Sequence, residues 1–172
     1  MVELLCAMAI LAVGILAVFG LFEAGVVAIK RASTITTAAA LADTEMERFR
    51  AGTYSTLGLA QEDVDAVPGT DPYKSDPAWK PISSPVNALN STVVVAKCPA
   101  SPCTDMLPTR TATGADHKTY RVDTYMTWHA VENSSGTKGR QVKLVTIVVR
   151  DAQNPSKVWA RSTSAFDEST GV

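Results

Sequence analysis

Residues 1–50 read MVELLCAMAILAVGILAVFGLFEAGVVAIKRASTITTAAALADTEMERFR and contain no proline. Within this stretch, residues 4–22 form a run of 19 residues without a charge. A helix of that length spans about 28 Å, close to the ~30 Å hydrocarbon core of a bilayer. The acid Glu3 stands where a secretory signal peptide has basic residues, and the run exceeds the apolar core of about 7 to 15 residues in such a signal. We therefore predict a membrane-spanning helix rather than a conventional signal peptide.

The helical pattern continues beyond the apolar run. Apolar residues recur at intervals of three and four and define one face, made of Ile35, Ala38, Ala39, Ala42, Met46 and Phe49. The charged residues are expected largely on the other sides, namely Asp43, Glu45, Glu47, Arg48 and Arg50. Gly52 follows two arginines that suit the negative end of a helix, so the helix is predicted to end near residue 51. We assign residues 1–29 to a transmembrane half of this helix and residues 30–52 to an amphipathic half.

Residues 53–118 are predicted to form a proline-rich variable loop region. Seven prolines lie between Gly58 and Pro108, and they argue against regular helix there. The exception is one short strand at residues 91–96, where three consecutive valines occur. Four acids in this region lack the spacing of a calcium-binding loop, so we interpret them as solvated loop acids: Glu62, Asp63, Asp65 and Asp71.

Residues 119–172 are predicted to form an antiparallel β-meander. Residues 119–131, 142–150 and 158–166 alternate between apolar and polar side chains, and the turns between them are short. In the first segment one face carries Tyr120, Val122, Thr124, Met126 and Trp128. The amphipathic half of the helix is the available cover for this sheet, which predicts an α+β fold in which a long N-terminal helix packs on a small antiparallel sheet. Trp79, Trp128 and Trp159 are then interpreted as packing residues.

The three cysteines lie in two different settings. Cys98 and Cys103 bracket the sequence CPASPC, and they form either a disulfide, which requires an oxidising compartment, or a pair of free thiols. Cys6 lies inside the apolar run, where its thiol is expected to be inert.

Neither charge nor motifs point to nucleic-acid binding or to catalysis. The net charge is −1 and the 16 basic residues are scattered, so no nucleic-acid partner is predicted. His117 and His129 have no neighbours that would make a catalytic triad or complete a zinc site. Phosphate-binding, zinc-protease and serine-hydrolase motifs are absent from the sequence. We predict that the chain is not an enzyme and has no catalytic residue, cofactor or metal.

Two features of the long helix predict contacts with other helices. Small residues spaced four apart make either a seam for close helix packing or simply a stretch of high helix propensity: Gly20, Ala24, Ala28 and Ala32. Glu3 is an acid at the entry of an apolar helix. It either lies among lipid headgroups, where it favours the positive helix terminus, or pairs with a positive group on another subunit.

The N-terminal third of the chain resembles a known family. MVELL at residues 1–5 and AMAILAVG at residues 7–14 resemble the N-terminal signature of type IV prepilins and pseudopilins. AAALADTEMERFR at residues 38–50, followed by Tyr54 and Leu57, is similar to the amphipathic helix half of minor pilins related to the pilus modification proteins. The resemblance implies a pilin-like fold with other pilin or pseudopilin subunits as partners. It also implies that Glu3 neutralises the N-terminal amine of a neighbouring subunit, and that the apolar helix is first a membrane anchor and then filament core.

Members of that family carry a short basic leader ending in glycine ahead of the stretch that matches Met1 onward. Its absence here has three readings: a start placed too far downstream, a trimmed chain, or a protein that prepilin peptidase does not process. We favour the first two, so prepilin peptidase is an expected partner if a leader precedes Met1. Lys30 and Arg31 on the outer side conflict mildly with the positive-inside rule, and a basic leader would restore the balance.

The sequence therefore predicts a minor pilin or pseudopilin of a type IV pilus or type II secretion-like filament. Its expected location is the bacterial plasma membrane, as a single-pass protein with an extracytoplasmic head, and then a cell-surface filament. The alternative is a membrane-anchored extracytoplasmic binding or adhesion domain that acts outside any filament. Whether the filament serves a pilus, secretion or DNA uptake, and whether the subunit is major or minor, the sequence leaves open.

Overall fold

The computed structural model describes residues 2–81, 91–95, 107–132 and 138–168. Residues Cys98 and Cys103, and with them the choice between a disulfide and two free thiols, lie outside the described residues. The chain divides into two compact units, Met1–Thr36 and Thr37–Val172, and we call the second unit the head. One α-helix, α1 (Val2–Arg50), contributes residues to both units.

Helix α1 runs without interruption over 49 residues. Its interior has no proline, and the hydroxyls of Thr34 and Thr44 donate to the carbonyl oxygens four residues earlier, at 3.0 and 2.8 Å. The helix ends where the sequence predicts, since the last turn tightens and the amide of Gly52 donates to the carbonyl of Phe49 at 3.2 Å. The predicted single helix is thus confirmed to within a residue or two.

The head contains a four-stranded antiparallel sheet with strand order β3-β4-β5-β6. Its strands are β3 (Thr109–Thr113), β4 (Thr119–Glu132), β5 (Lys138–Asp151) and β6 (Val158–Phe166). The three predicted strands correspond to β4, β5 and β6, and the predicted meander is confirmed. Strand β3 was not predicted, because its sequence TRTAT is short and polar and lies in the assigned loop region.

One face of the sheet, which we call the helix face, packs on α1. Ala38, Ala42, Met46 and Phe49 are buried against side chains of β4, β5 and β6 that include Tyr120, Val122, Met126, Val145, Ile147, Val149 and Phe166. Trp79, Trp128 and Trp159 pack against this core, as predicted. The α+β fold with a long N-terminal helix on a small antiparallel sheet is therefore the observed fold.

The predicted faces of α1 need two corrections. Ile35 is 42% exposed and Ala39 is exposed. The buried face of α1 therefore includes fewer residues than the apolar face that the sequence predicts. Glu45, expected on an outer side, is buried at 2% exposure. Its carboxylate accepts hydrogen bonds from Arg110 and from Arg48, and the first of these partners comes from the unpredicted strand β3.

The region from Gly58 to Pro108, which was expected to lack regular helix, contains two short α-helices among its described residues, and a 3₁₀ turn precedes them. The helices are α2 (Gln61–Ala66) and α3 (Pro72–Ser75), and the turn is at Tyr54–Thr56. Pro72 is compatible with α3 because it stands in the first turn of that helix, where a backbone N–H has no partner within the helix. Two short parallel strands, β1 (Leu59–Ala60) and β2 (Val94–Val95), also lie here, and β2 is shorter than the predicted strand at residues 91–96.

Candidate functional site

The apolar half of α1 is exposed along its whole length. Leu4, Leu11, Phe19 and Phe22 are 64% to 70% exposed, and an 18-residue window with mean hydropathy 2.8 has none of its residues buried in the chain. The core helix of a soluble protein would have this window covered. The helix is long and apolar enough to cross a membrane, and as a surface in water it would be unfavourable.

Glu3 lies in the first turn of α1 and is exposed. Among the residues that the structure describes, no cationic side chain forms an ion pair with it. A carboxylate in this position is stabilised by the helix dipole by about 0.3 to 1 kcal/mol. The pairing of Glu3 with a positive group on another subunit stays a prediction.

The four small residues of the predicted seam are all exposed on α1: Gly20, Ala24, Ala28 and Ala32. Successive members are displaced by about 40° around the helix, so the four lie within a sector of about 120°. A methyl group built at Gly20 meets no atom within 4 Å. The helix therefore brings these residues onto one open strip, and the contact they make with another helix stays a prediction.

The second face of the sheet, which we call the outer face, carries a buried group of charges that sequence reasoning missed. Asp123 on β4 is fully buried and accepts hydrogen bonds from the Nε atoms of Arg121 and Arg150, both at 2.7 Å. Arg150 also donates to the carboxylate of Asp76, which follows α3. Burial raises the pKa of the Asp123 carboxyl, and the two guanidinium groups act against that rise.

The charges continue outward from this centre to both ends of α3. Asp71 caps the helix by accepting from the amide of Tyr73 at 2.8 Å, and it receives both terminal nitrogens of Arg121 at 2.6 and 3.1 Å. At the other end Asp76 receives Arg161 of β6 at 2.8 and 3.0 Å. We call these six residues the ion-pair network: Asp71, Asp76, Arg121, Asp123, Arg150 and Arg161. Three acids and three bases alternate in it, so the network carries no net charge.

A pair of tyrosines lies beside the ion-pair network. The rings of Tyr73 and Tyr125 stack with centroids 4.4 Å apart. The hydroxyl of Tyr73 donates to the carbonyl of Thr124 at 2.8 Å, and that of Tyr125 donates to the carbonyl of Tyr73 at 3.1 Å. Burial raises the pKa of both phenols, so neither is poised for acid–base chemistry near neutral pH. The network and the tyrosines hold α3 on the outer face of the sheet.

The missed network had a partial signal in the sequence. Arg121, Asp123 and Tyr125 share one face of β4, so the strand pattern places two opposite charges and an aromatic ring on the same side of the sheet. The interpretation of Asp71 as a solvated acid is wrong, because Arg121 binds it and its side chain is only 20% exposed.

The histidines lie apart from this network. His117 occupies the turn between β3 and β4 with a φ of 59°, and His129 is exposed on β4. Within the described part of the chain, no group of His, Cys, Asp and Glu side chains is arranged to hold a metal ion. Comparison with protein-family models, with curated proteins and with solved structures finds no match to this chain.

Proposed function

We propose that the chain is a structural subunit, a minor pilin or pseudopilin, of a type IV pilus or type II secretion-like filament. The observation that carries the proposal is the division of α1. Its first half exposes an apolar surface over its whole length, and its last turns supply Ala42, Met46 and Phe49 to the core of a folded head.

A helix built in this way suits two successive environments. Lipid covers the apolar half while the subunit waits in the bacterial plasma membrane, with its head on the extracytoplasmic side. The corresponding helices of other pilin or pseudopilin subunits cover it after assembly. Close approach of helices is favoured where side chains are small, as at Gly20 and Ala24. Glu3 then lies at the end of the bundle, where an unpaired carboxylate in apolar surroundings is unfavourable and a neighbour's positive group stabilises it.

The test is incorporation of the full chain into surface filaments of the bacterium that makes it. Filaments are sheared from cells that produce the tagged wild type, Glu3→Ala or Glu47→Ala, and the tag is quantified in filaments and in membranes. Glu47 is the matched control, because it is an exposed acid of the same helix that pairs with Arg50 at 2.6 Å. We expect Glu3→Ala to reduce incorporation by about ten-fold or more, since it removes the charge that a buried partner requires. Glu47→Ala should assemble like the wild type.

Normal incorporation of Glu3→Ala contradicts the proposed role of this residue. A wild-type chain that stays in the membrane and is absent from filaments contradicts the whole proposal. That second result favours a membrane-anchored extracytoplasmic binding or adhesion domain instead.

A further inference from the structure

Strand β6 forms one edge of the four-stranded sheet. Among the residues that the structure describes, no strand pairs with the far side of β6. The opposite edge is different, because β3 pairs with the first part of β4 and Thr92 bridges to Thr127 further along it. The sheet therefore has one edge that other segments of the head cover and one edge that no described strand covers.

The hydrogen bonds of the sheet show which backbone groups of β6 point outward. The amide of Thr124 on β4 donates to the carbonyl of Pro108 at 2.8 Å, on the side away from β5. Because backbone groups alternate between the two sides of a strand, the odd-numbered residues of β4 bond to β5. They pair with even-numbered residues of β5, as Tyr125 does with Thr146, which leaves the odd-numbered residues of β5 to bond to β6.

The outward groups of β6 belong to its odd-numbered residues. The odd-numbered residues of β5 pair with Ala160, Ser162 and Ser164. The amides and carbonyls of the residues between and after these, Arg161, Thr163 and Ala165, therefore point away from the sheet. All three of these residues are exposed. A row of such groups can form a ladder of hydrogen bonds with another extended chain.

Most of strand β6 lacks the features that protect exposed edges from pairing. Protected edges commonly carry proline, lysine or an inward-pointing charge. Residues 160–166 contain neither proline nor lysine, and the charge of Arg161 is engaged by Asp76 at 2.8 and 3.0 Å. A register shift opposite Val149 and Arg150 affects only the start of the strand. The edge from Ala160 onward is therefore able to accept another strand.

We propose that this edge binds an extended segment of another protein, which joins the four-stranded sheet as a fifth strand beside β6. The side chains of β6 specify the chemistry of that segment. On the helix face, Ala160, Ser162 and Ser164 are small and only partly buried, so bulky apolar side chains of the added strand extend the core over them. On the outer face, an acid of the added strand lies beside Arg161, which is 39% exposed. Apolar residues therefore alternate with polar and acidic ones in the partner segment.

The geometry disfavours a second copy of this chain as the partner. Two copies that pair antiparallel through β6 are related by a two-fold axis perpendicular to the sheet. From Ala38 to Phe49 helix α1 lies along the helix face, so this rotation reverses the direction of the helix in the second copy. Copies anchored in one membrane with the same topology have helices that run in the same direction. This step rests on the proposed function, whereas the open edge does not.

The first experiment measures binding of a labelled probe peptide to the full chain in detergent. The probe is as long as β6, nine residues, and valine alternates in it with threonine and glutamate. Thr163→Pro removes an outward amide and leaves the hydrogen bonds to β5 in place. Thr163→Ala is the matched control, because both variants lose the contact between the hydroxyls of Thr163 and Thr146 but alanine keeps the amide. We expect Thr163→Ala to bind the probe like the wild type, and Thr163→Pro to bind it about ten-fold more weakly or less.

The second experiment locates the bound probe by amide hydrogen exchange in the wild type. The amides of Arg161, Thr163 and Ala165 should exchange more slowly when the probe is present, because each gains a hydrogen bond or lies beneath the added strand. The amides of Ser162 and Ser164 already bond to β5 and should change little. This measurement does not depend on the fold of Thr163→Pro.

Three results overturn the inference. They are absence of probe binding to the wild type at about 1 mM, equal binding to Thr163→Pro, and slowed exchange that lies outside β6. Wild-type dimers in detergent that Thr163→Pro abolishes also overturn it, because a second copy then occupies the edge. None of these measurements involves filaments, so their failure leaves the proposed function standing, and failure of the chain to enter filaments leaves the open edge to be tested in the same way.

Discussion

The guanidinium of Arg150 donates through Nε to a carboxylate oxygen of Asp123 at 2.7 Å inside the head. The two side chains are 5% and 0% exposed. The same guanidinium donates to Asp76, so it serves two acids from two elements, β4 and the turn after α3. Desolvation offsets much of the attraction in a buried ion pair, but removing one partner leaves the other charge uncompensated.

Replacing Arg150 should therefore destabilise the head strongly. We expect Arg150→Met to lower the free energy of unfolding by about 3 to 5 kcal/mol, because Asp76 and Asp123 each lose a buried partner. The measurement is urea unfolding of the full chain in detergent, followed by tryptophan fluorescence. Arg161→Met is the control, since Arg161 is 39% exposed and its removal leaves Asp76 paired, which should cost about 1 kcal/mol or less. Equal losses in the two variants would show that burial of the pair does not matter.

Asp71 should make the stability of the head sensitive to acid. Hydrogen bonds from Arg121 hold the pKa of this carboxyl below its ordinary value of 3.8. The unfolded chain therefore takes up the proton at a higher pH than the folded chain does. The stabilisation is complete above pH 3.8 and is lost as the pH falls through the folded pKa. We expect the free energy of unfolding to fall less steeply below about pH 4 in Asp71→Asn than in the wild type.

The comparison for Asp71 needs a matched acid. Asp65→Asn is the comparison, because Asp65 is exposed and accepts a hydrogen bond from the neutral amide of Gln61 at 2.9 Å rather than from a guanidinium group. Denaturant unfolding in a series of acid buffers measures how the free energy of unfolding depends on pH in the wild type, Asp71→Asn and Asp65→Asn. An Asp71→Asn slope equal to that of the wild type would mean that Arg121 does not stabilise the charged carboxylate.

Gly114 is required where the turn between β3 and β4 approaches α1. A β-carbon at this position would lie 2.4 Å from Cγ2 of Thr37 and 2.8 Å from a ring carbon of Tyr120. Because both neighbours belong to packed elements, we expect Gly114→Ala to lower the free energy of unfolding by about 1 to 3 kcal/mol. Gly69→Ala is the control, since a β-carbon there meets nothing within 4 Å.

The cause of that loss can be isolated with a second change. Thr37→Ser removes the methyl group at the closest contact, so the double variant Thr37→Ser/Gly114→Ala should be more stable than the sum of the single changes predicts. Unfolding midpoints of the four proteins in urea measure this coupling. If the two changes in the free energy of unfolding simply add, the destabilisation by Gly114→Ala comes from the turn itself rather than from its contact with α1.

The elements that sequence reasoning predicted are those with local patterns. An apolar run followed by a three- and four-residue repeat predicted α1, and alternation predicted β4 and β6 with nearly their observed bounds, Thr119–Glu132 and Val158–Phe166. Strand β3 has no such pattern, because its five residues gain their structure from pairing with β4. The burial of Glu45 was missed for the same reason, since Arg110 reaches it from β3.

The candidate site divides in a similar way. Glu3 and the small residues from Gly20 to Ala32 lie on one regular helix, so the sequence alone gives their exposure and spacing. The ion-pair network depends on which segment covers the outer face. Asp71 and Asp76 come from a proline-rich region, and nothing local indicates that α3 folds back over Arg121 and Arg150. Charges that look solvated in a strand pattern become buried through such long-range contacts.

Lys143 ties the turn after α1 to the sheet. It is 4% exposed, and its Nζ donates to the carbonyl oxygens of Tyr54 and Leu57 at 2.6 and 2.7 Å. The ammonium group also lies 4.5 Å from the ring centre of Tyr54 and 5.3 Å from that of Trp128. Burial lowers the pKa of Lys143 below its ordinary value of 10.5. Between the folded pKa and 10.5 the unfolded chain binds more protons, so this group makes stability rise with pH in that interval.

Lys143→Met should therefore change both the stability and its dependence on pH. We expect a loss of about 1 to 3 kcal/mol at about pH 7, because the carbonyls of Tyr54 and Leu57 lose a buried donor. The rise in stability on approaching pH 10.5 should be smaller in the variant than in the wild type. Lys157→Met is the control, since Lys157 is exposed and its Nζ lies 3.9 Å from the ring centre of Trp159. Denaturant unfolding at neutral and alkaline pH measures both effects, and an unchanged alkaline rise in Lys143→Met would assign that rise to other groups.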